Sequence, residues 1–240
     1  MRNVAPGRAR RFVQCWHTQV ATLHRCDPDG GRVRPISANV EHDNTPWPLP
    51  DGRILFMRWE YVDRSQVHYH HLWTCNPDGT GHQVFFGNYH PGGVYIDAKP
   101  VPGSNKIVFS NSPGHGRCEH AGHVALVSPE RGPDDLGALR NITPKPDYAD
   151  PWAFSEELFL AARYKQLVFL NAAGEELVVH TAPENVHEPR PVLRRPRERL
   201  LPDRTDPVQS TGTLVLQNIY AGRNMAGVAP GEISRLLLLE

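Results

Sequence analysis

The 240-residue sequence contains no apolar run near the ~20 residues that a membrane-spanning helix needs. It carries no net charge: 26 basic residues face 26 acidic ones, so the electrostatic footprint of a nucleic-acid binder is missing. It has no Cys-x-x-Cys, and therefore no Cys-x-x-Cys-His for attaching a c-type haem. Nothing in it reads as a nucleophile elbow, a phosphate-binding glycine loop or a catalytic triad, so catalytic residues are not assigned. Residues 1–11 are basic but lack the apolar core of a signal peptide. Long helices are excluded by 23 Pro and 20 Gly, a composition that fits many turns between short strands.

What is present is a repeat. Four segments share one grammar, a β-rich run closed by a polar residue and a tight turn: Leu23 to Gly31 (LHRCDPDGG), Leu72 to Thr80 (LWTCNPDGT), Val124 to Gly132 (VALVSPERG) and Leu167 to Glu175 (LVFLNAAGE). Their turn-opening residues, Asp27, Asn76, Ser128 and Asn171, lie 49, 52 and 43 positions apart. Asp, Asn or Ser supplies a side-chain acceptor, Pro presets φ, and Gly takes the positive φ of a hairpin. A period of roughly 40–50 residues with several short strands in each unit is the signature of a β-propeller blade. A second turn precedes the strands of each unit, in Pro46 to Trp59, Pro102 to Phe109 (one residue longer), Pro151 to Ala162, and a degenerate Pro189 to Pro196. The expected fold is an all-β propeller of the TolB-like, WD40-like-repeat type, a partial arc of about three full blades plus partial ones. Residues 1–20 read as a leader, 21–205 as blades, and 206–240 as a propeller segment leading to a further domain, with a strand over Thr213 to Gln217.

Three groups of side chains are candidates for chemistry. Aligning the units on the strand-preceding turn puts Thr45, Asp97, Asp150 and Glu188 in one column, expected at the mouth of the central channel with His42, Asp43, His90 and His187 nearby. Carboxylates converging with imidazoles can hold a divalent metal or a cationic ligand; equally, each carboxylate can accept backbone N–H bonds and stiffen its own loop. A second group, His115, Cys118, His120 and His123, offers four metal donors within nine positions, against a plain inter-strand loop. The third, Glu60, Asp63, Arg64, His68, His70 and His71, is a mixed-charge surface loop: a docking or proton-relay patch, or a hydrogen-bonded blade edge. The four cysteines, Cys15, Cys26, Cys75 and Cys118, read as small buried residues. Cys26 and Cys75 hold the same place in successive repeats, which separates them beyond disulfide reach.

Several longer strings carry a more specific likeness: Glu41 to Trp47 (EHDNTPW), Met57 to Trp73 (MRWEYVDRSQVHYHHLW), Asn88 to Gly93 (NYHPGG), Ser112 to His123 (SPGHGRCEHAGH) and Gly222 to Glu232 (GRNMAGVAPGE). Together they resemble the middle domain of hydrazine synthase alpha-subunit-like proteins of planctomycete-type bacteria, over about Leu23 to Glu240. The resemblance implies TolB-like blades in an exported or periplasmic-type protein, next to a domain carrying c-type haems. It implies as partner another domain or subunit of a redox protein. Two functional classes follow: a non-catalytic propeller scaffold or interaction module, and a metal-dependent enzyme module using the channel-mouth His and carboxylates. No cofactor is expected in this chain apart from a possible divalent metal.

Overall fold

A computed structural model describes residues 19–62, 64–114, 120–206, 208–209, 211–222 and 224–237. The chain divides into two compact units, Met1–Arg204 and Thr205–Glu240.

The regular structure of the first unit is strand, from β1 to β14; its helical content among the described residues is one 3-10 turn, Leu136–Ala138. A short hairpin, β1 (His24–Arg25) with β2 (Arg34–Pro35), precedes three antiparallel four-stranded meanders. The first blade is β3 (Asp43–Pro48), β4 (Ile54–Trp59), β5 (His70–Cys75) and β6 (Gln83–Phe86). The second is β7 (Val94–Pro100), β8 (Ile107–Ser112), β9 (His123–Val127) and β10 (Leu139–Asn141), and it meets the first through a single parallel bridge, His70 to Val94. The third is β11 (Ala149–Ala153), β12 (Leu158–Arg163), β13 (Gln166–Asn171) and β14 (Glu176–Thr181). This radial succession of meanders is propeller architecture.

The turn grammar explains the hairpins. Asp27, Asn76 and Asn171 each donate their N–H four residues on, to Gly31, Thr80 and Glu175, and each accepts from the glycine three residues on. Gly79 shows why glycine is needed: its φ is +87°, and a Cβ there would lie 2.9 Å from the Ile36 carbonyl oxygen. The turn at Ser128 departs from this pattern because its Gly132 comes one residue late; the chain widens into a loop holding the 3-10 turn.

The core lies between blades, as alternation along each strand requires. Leu55, Leu72 and Phe86 of the first blade pack with Ile107, Phe109, Ala125 and Val127 of the second. The other face of the second blade, Val108, Val124 and Leu126, packs on Phe159, Ala161, Val168 and Leu170 of the third. The hairpin closes the first blade with Leu23 and Ile36 against Phe56 and Cys75. Phe56, Phe109 and Phe159 are fully buried, and truncating any of them to Ala would cost about 3–5 kcal/mol. Of the cysteines, Cys75 is buried as expected and burial pushes its thiol up to about 12. Cys26 is exposed, which corrects the buried reading for that position: β1 is a two-residue strand at a surface turn. Cys15 and Cys118 lie outside the described residues.

Beyond β14 the chain of the first unit runs without regular structure. It passes the repeat column at Glu188, then the first blade, where the Arg199 N–H donates to the Pro50 carbonyl. Asp203 pairs with Arg25 and Arg34 of the hairpin, and the Arg204 N–H donates to Asp78. Gly52, at φ +92°, lets this segment pass, since a Cβ there would meet the Arg199 carbonyl oxygen at 2.2 Å. In the second unit the described residues form turns and no strand; Tyr220 holds it locally by accepting the Gly231 N–H at 2.6 Å. The strand expected over Thr213 to Gln217 does not form, and among the described residues of this unit no strand is present to pair with it.

Candidate functional site

The innermost strands β3, β7 and β11 each carry a bulge at the same place, marked by register breaks between Asn44 and Trp47, Ile96 and Lys99, and Ala149 and Trp152. Within or beside each bulge one residue takes the left-handed conformation: Thr45 (φ 50°), Asp97 (φ 59°) and Asp150 (φ 53°), with Glu188 (φ 48°) continuing the series. Positive φ is uncommon outside Gly, and least costly for Asp and Asn. Four such residues in one repeat column are a feature of the fold and not isolated strain.

The bulge turns the column side chains toward the next blade. Thr45 Oγ1 accepts the Asp97 N–H at 3.4 Å, and Asp150 Oδ2 accepts the Glu188 N–H at 2.9 Å. Carboxylate oxygens of Asp97, Asp150 and Glu188 come within 4.8 Å of one another. Asp97 is only 4% exposed; no N–H or hydroxyl donor reaches its Oδ2, and the Asp150 carboxyl is its hydrogen-bonding neighbour. Its carboxyl is pushed up to about 7, by burial first and by the Asp150 carboxylate second, with Lys99 pulling the other way. Lys99 is buried too; its ammonium donates to the Asp97 carbonyl at 3.0 Å, and burial lowers its pKa against the attraction of Asp97. Arg190 pairs with Glu188.

Beside this group lies a cavity of about 240 Å³ lined by Trp47, Trp152, Lys99, Val101, Pro102 and Arg195 among others. Trp47 and Trp152 meet edge to face at 5.5 Å, and the Arg195 guanidinium covers both rings. Lys99, Trp47 and Arg195 are not among the site residues expected from the sequence. A lysine two positions past the column aspartate, in an otherwise apolar strand, was the available signal.

The other named residues go elsewhere. Asp43 is a blade residue, held by Arg58 through two bonds of 2.8 and 2.9 Å. His42 accepts the Ala21 N–H through Nδ1 and packs on Trp59; His90 donates Nε2–H to the Asp134 carbonyl at 2.7 Å; His187 is exposed. No imidazole shares the group formed by Asp97, Asp150 and Glu188 among the described residues. Of the second cluster, His115 and Cys118 lie outside the described residues, His120 is exposed, and His123 donates Nδ1–H to the Thr143 carbonyl at 2.7 Å. In the third, Asp63 lies outside the described residues. Arg64 pairs with Glu60, bonds Asn88 and covers the Tyr69 ring at 3.7 Å. The three histidines there diverge: His68 faces solvent, His70 stacks on Trp59 at 4.8 Å, and His71 lies against Tyr95 on the opposite face.

No protein-family model matches this chain, and no curated protein does. Among solved structures, hydrazine synthase of Kuenenia stuttgartiensis superposes with a TM-score of 0.55 at 22% identity, over 65% of this chain and 22% of that one. A gluconolactonase of Xanthomonas campestris gives 0.49 at 14% identity, over 68% of this chain and 56% of that one. A TolB assignment from Agrobacterium tumefaciens gives 0.45 at 12% identity, over 71% and 72%. The last two superpose too loosely to add weight. The chain is a β-propeller arc, and it spans about 22% of the length of the hydrazine synthase chain it overlays.

Proposed function

We propose that this chain is a non-catalytic propeller module, a scaffold that packs against further sheets of a multidomain redox protein of the hydrazine-synthase-alpha type. The observation that carries the reading is the exposed outer part of the third blade's flank. Leu55 and Val108 occupy equivalent places in the first two blades, and each lies in the layer facing the next blade. The third-blade equivalent is Leu160, which shares its face with the partners in register Phe169 and Leu177. Leu160 is buried at 6% exposure, Phe169 is half-buried and Leu177 is 67% exposed, so the face that blades use to bind their successors is covered at β12 and uncovered toward the outer strand β14. The imidazoles His71, His90 and His123 are tied to backbone carbonyls instead of facing a cleft, which favours a structural role over general acid–base work.

The expected occupant is another antiparallel sheet of the parent protein, docked face to face. In its absence the purified chain should self-associate with rising concentration. Sedimentation velocity should show Leu177→Asp shifting the distribution toward monomer. Because the side chain is exposed, that change should alter unfolding stability by no more than about 0.5 kcal/mol. A wild-type chain that stays monomeric across the concentration range would remove the reading.

A further inference from the structure

We propose that Asp97, Asp150 and Glu188 form a binding site for one hard divalent cation of Ca²⁺ size, which pins the second and third blades to the chain segment that follows them. Acidic groups alone do not make such a site; here the Asp97 carboxyl is buried and aims into the group, its Oδ2 receives no hydrogen bond from an N–H or hydroxyl donor, and its side-chain neighbour is the like-charged Asp150 carboxyl. A buried polar atom left unpaired is costly, and a bound ion is the kind of partner that removes that cost.

The charges leave room for a cation. Three carboxylates face two cationic side chains, and only one of these reaches a carboxylate. Arg190 pairs with Glu188, whereas Lys99 places its ammonium on the Asp97 carbonyl. The donors also select the ion. All three are carboxylate oxygens and no imidazole or thiolate joins them among the described residues, a donor set for Ca²⁺ or Mg²⁺ and not for zinc or copper. A separation of up to 4.8 Å suits oxygens on opposite sides of Ca²⁺, which bonds them at about 2.3–2.6 Å; the roughly 2.0–2.1 Å bonds of Mg²⁺ would require the group to contract. The left-handed bulges provide the convergence. Each swings its column residue out of the strand's alternation, so residues 53 and 38 positions apart meet at one end of the unit. The role is mechanical: the second and third blades are joined by the antiparallel bridge of Gly122 with Tyr148 and by packed side chains, and a shared ion adds a polar cross-link between β7, β11 and the Glu188 segment.

The test is calorimetric titration of the chelator-treated full chain with Ca²⁺, Mg²⁺ and Zn²⁺, read alongside the thermal midpoint. Ca²⁺ should bind at one site, and at a hundredfold excess over Kd it should raise the midpoint by about 5–10 °C. Asp97→Asn should lose this rise while being at least as stable as the wild type in chelator, because it removes the unpaired buried carboxylate; a residue serving only as a structural acceptor would show the opposite. If Asp97→Asn fails to fold, Glu188→Gln decides, since its side chain is exposed: Ca²⁺ affinity should fall at least tenfold. Absence of Ca²⁺ binding to the wild type, unchanged affinity in Glu188→Gln, or tighter binding of Zn²⁺ than of Ca²⁺ would each overturn the proposal.

Discussion

Replacing Arg58 by alanine should destabilise the first unit by about 3–5 kcal/mol. Arg58 and Asp43 are register partners on β4 and β3, and their side chains form a two-bonded pair in which Asp43 is 0% and Arg58 14% exposed. The guanidinium is further sandwiched by aromatics, 4.8 Å from the Trp73 ring and 5.4 Å from Phe56. Removing it strands the Asp43 carboxylate in a dry layer with only the Asn39 amide, at 3.2 Å, as a named donor. The loss should appear as a lower urea midpoint at pH 7, followed by tryptophan fluorescence. The pair itself is worth far less than this number, because most of the cost belongs to the uncompensated charge. The double replacement Arg58→Met with Asp43→Leu should therefore be less destabilising than Arg58→Ala alone. A single-mutant loss below about 1 kcal/mol would mean that water reaches Asp43 once the guanidinium is gone.

The same residue shows where sequence reading stops. Asp43 stands two positions before Thr45, so proximity in sequence assigned it to the channel mouth. In a strand, side-chain direction alternates, and the bulge between Asn44 and Trp47 adds a further turn that no composition rule encodes. His42 and His90 failed to join the column for a related reason. Their directions are set by distant partners, the Ala21 N–H and the Asp134 carbonyl, which lie on other elements. By contrast, the column of Thr45, Asp97, Asp150 and Glu188 was legible, because repetition turns an unknown local geometry into a shared one: whatever the bulge does in one blade it does in the others. The blades were legible for the same reason, through glycines that only a tight turn demands. Thr213 to Gln217 has a strand's composition and no strand, since β propensity describes fitness for a ladder and does not supply one.

Lowering the pH from 7.5 to 4.5 should remove up to about 3 kcal/mol of stability through His71 alone. Its Nε2–H donates to the Gly92 carbonyl at 3.1 Å, so a second proton would have to sit on Nδ1, which is buried and has no partner. Burial accordingly pushes the pKa down to about 4, with the bond to Gly92 opposing and the Arg64 and His90 charges adding to the depression, while Asp134 opposes it weakly. In the unfolded chain the imidazole titrates near 6.5. Above roughly pH 6.5 both states are neutral and the contribution to stability is complete. Between about 6.5 and 4 the unfolded chain takes up a proton that the folded one refuses, so unfolding gains. Below about 4 the folded state protonates as well and the loss levels off. Carboxylates titrate in the lower part of this window, so the informative quantity is a difference between two proteins. His71→Gln keeps a donor for Gly92 and cannot titrate; its urea midpoint should fall less steeply than that of the wild type between pH 6.5 and 5. Parallel slopes for the two proteins would show that the ring is hydrated in solution and that its burial against Tyr95 and Tyr69 does not control its charge.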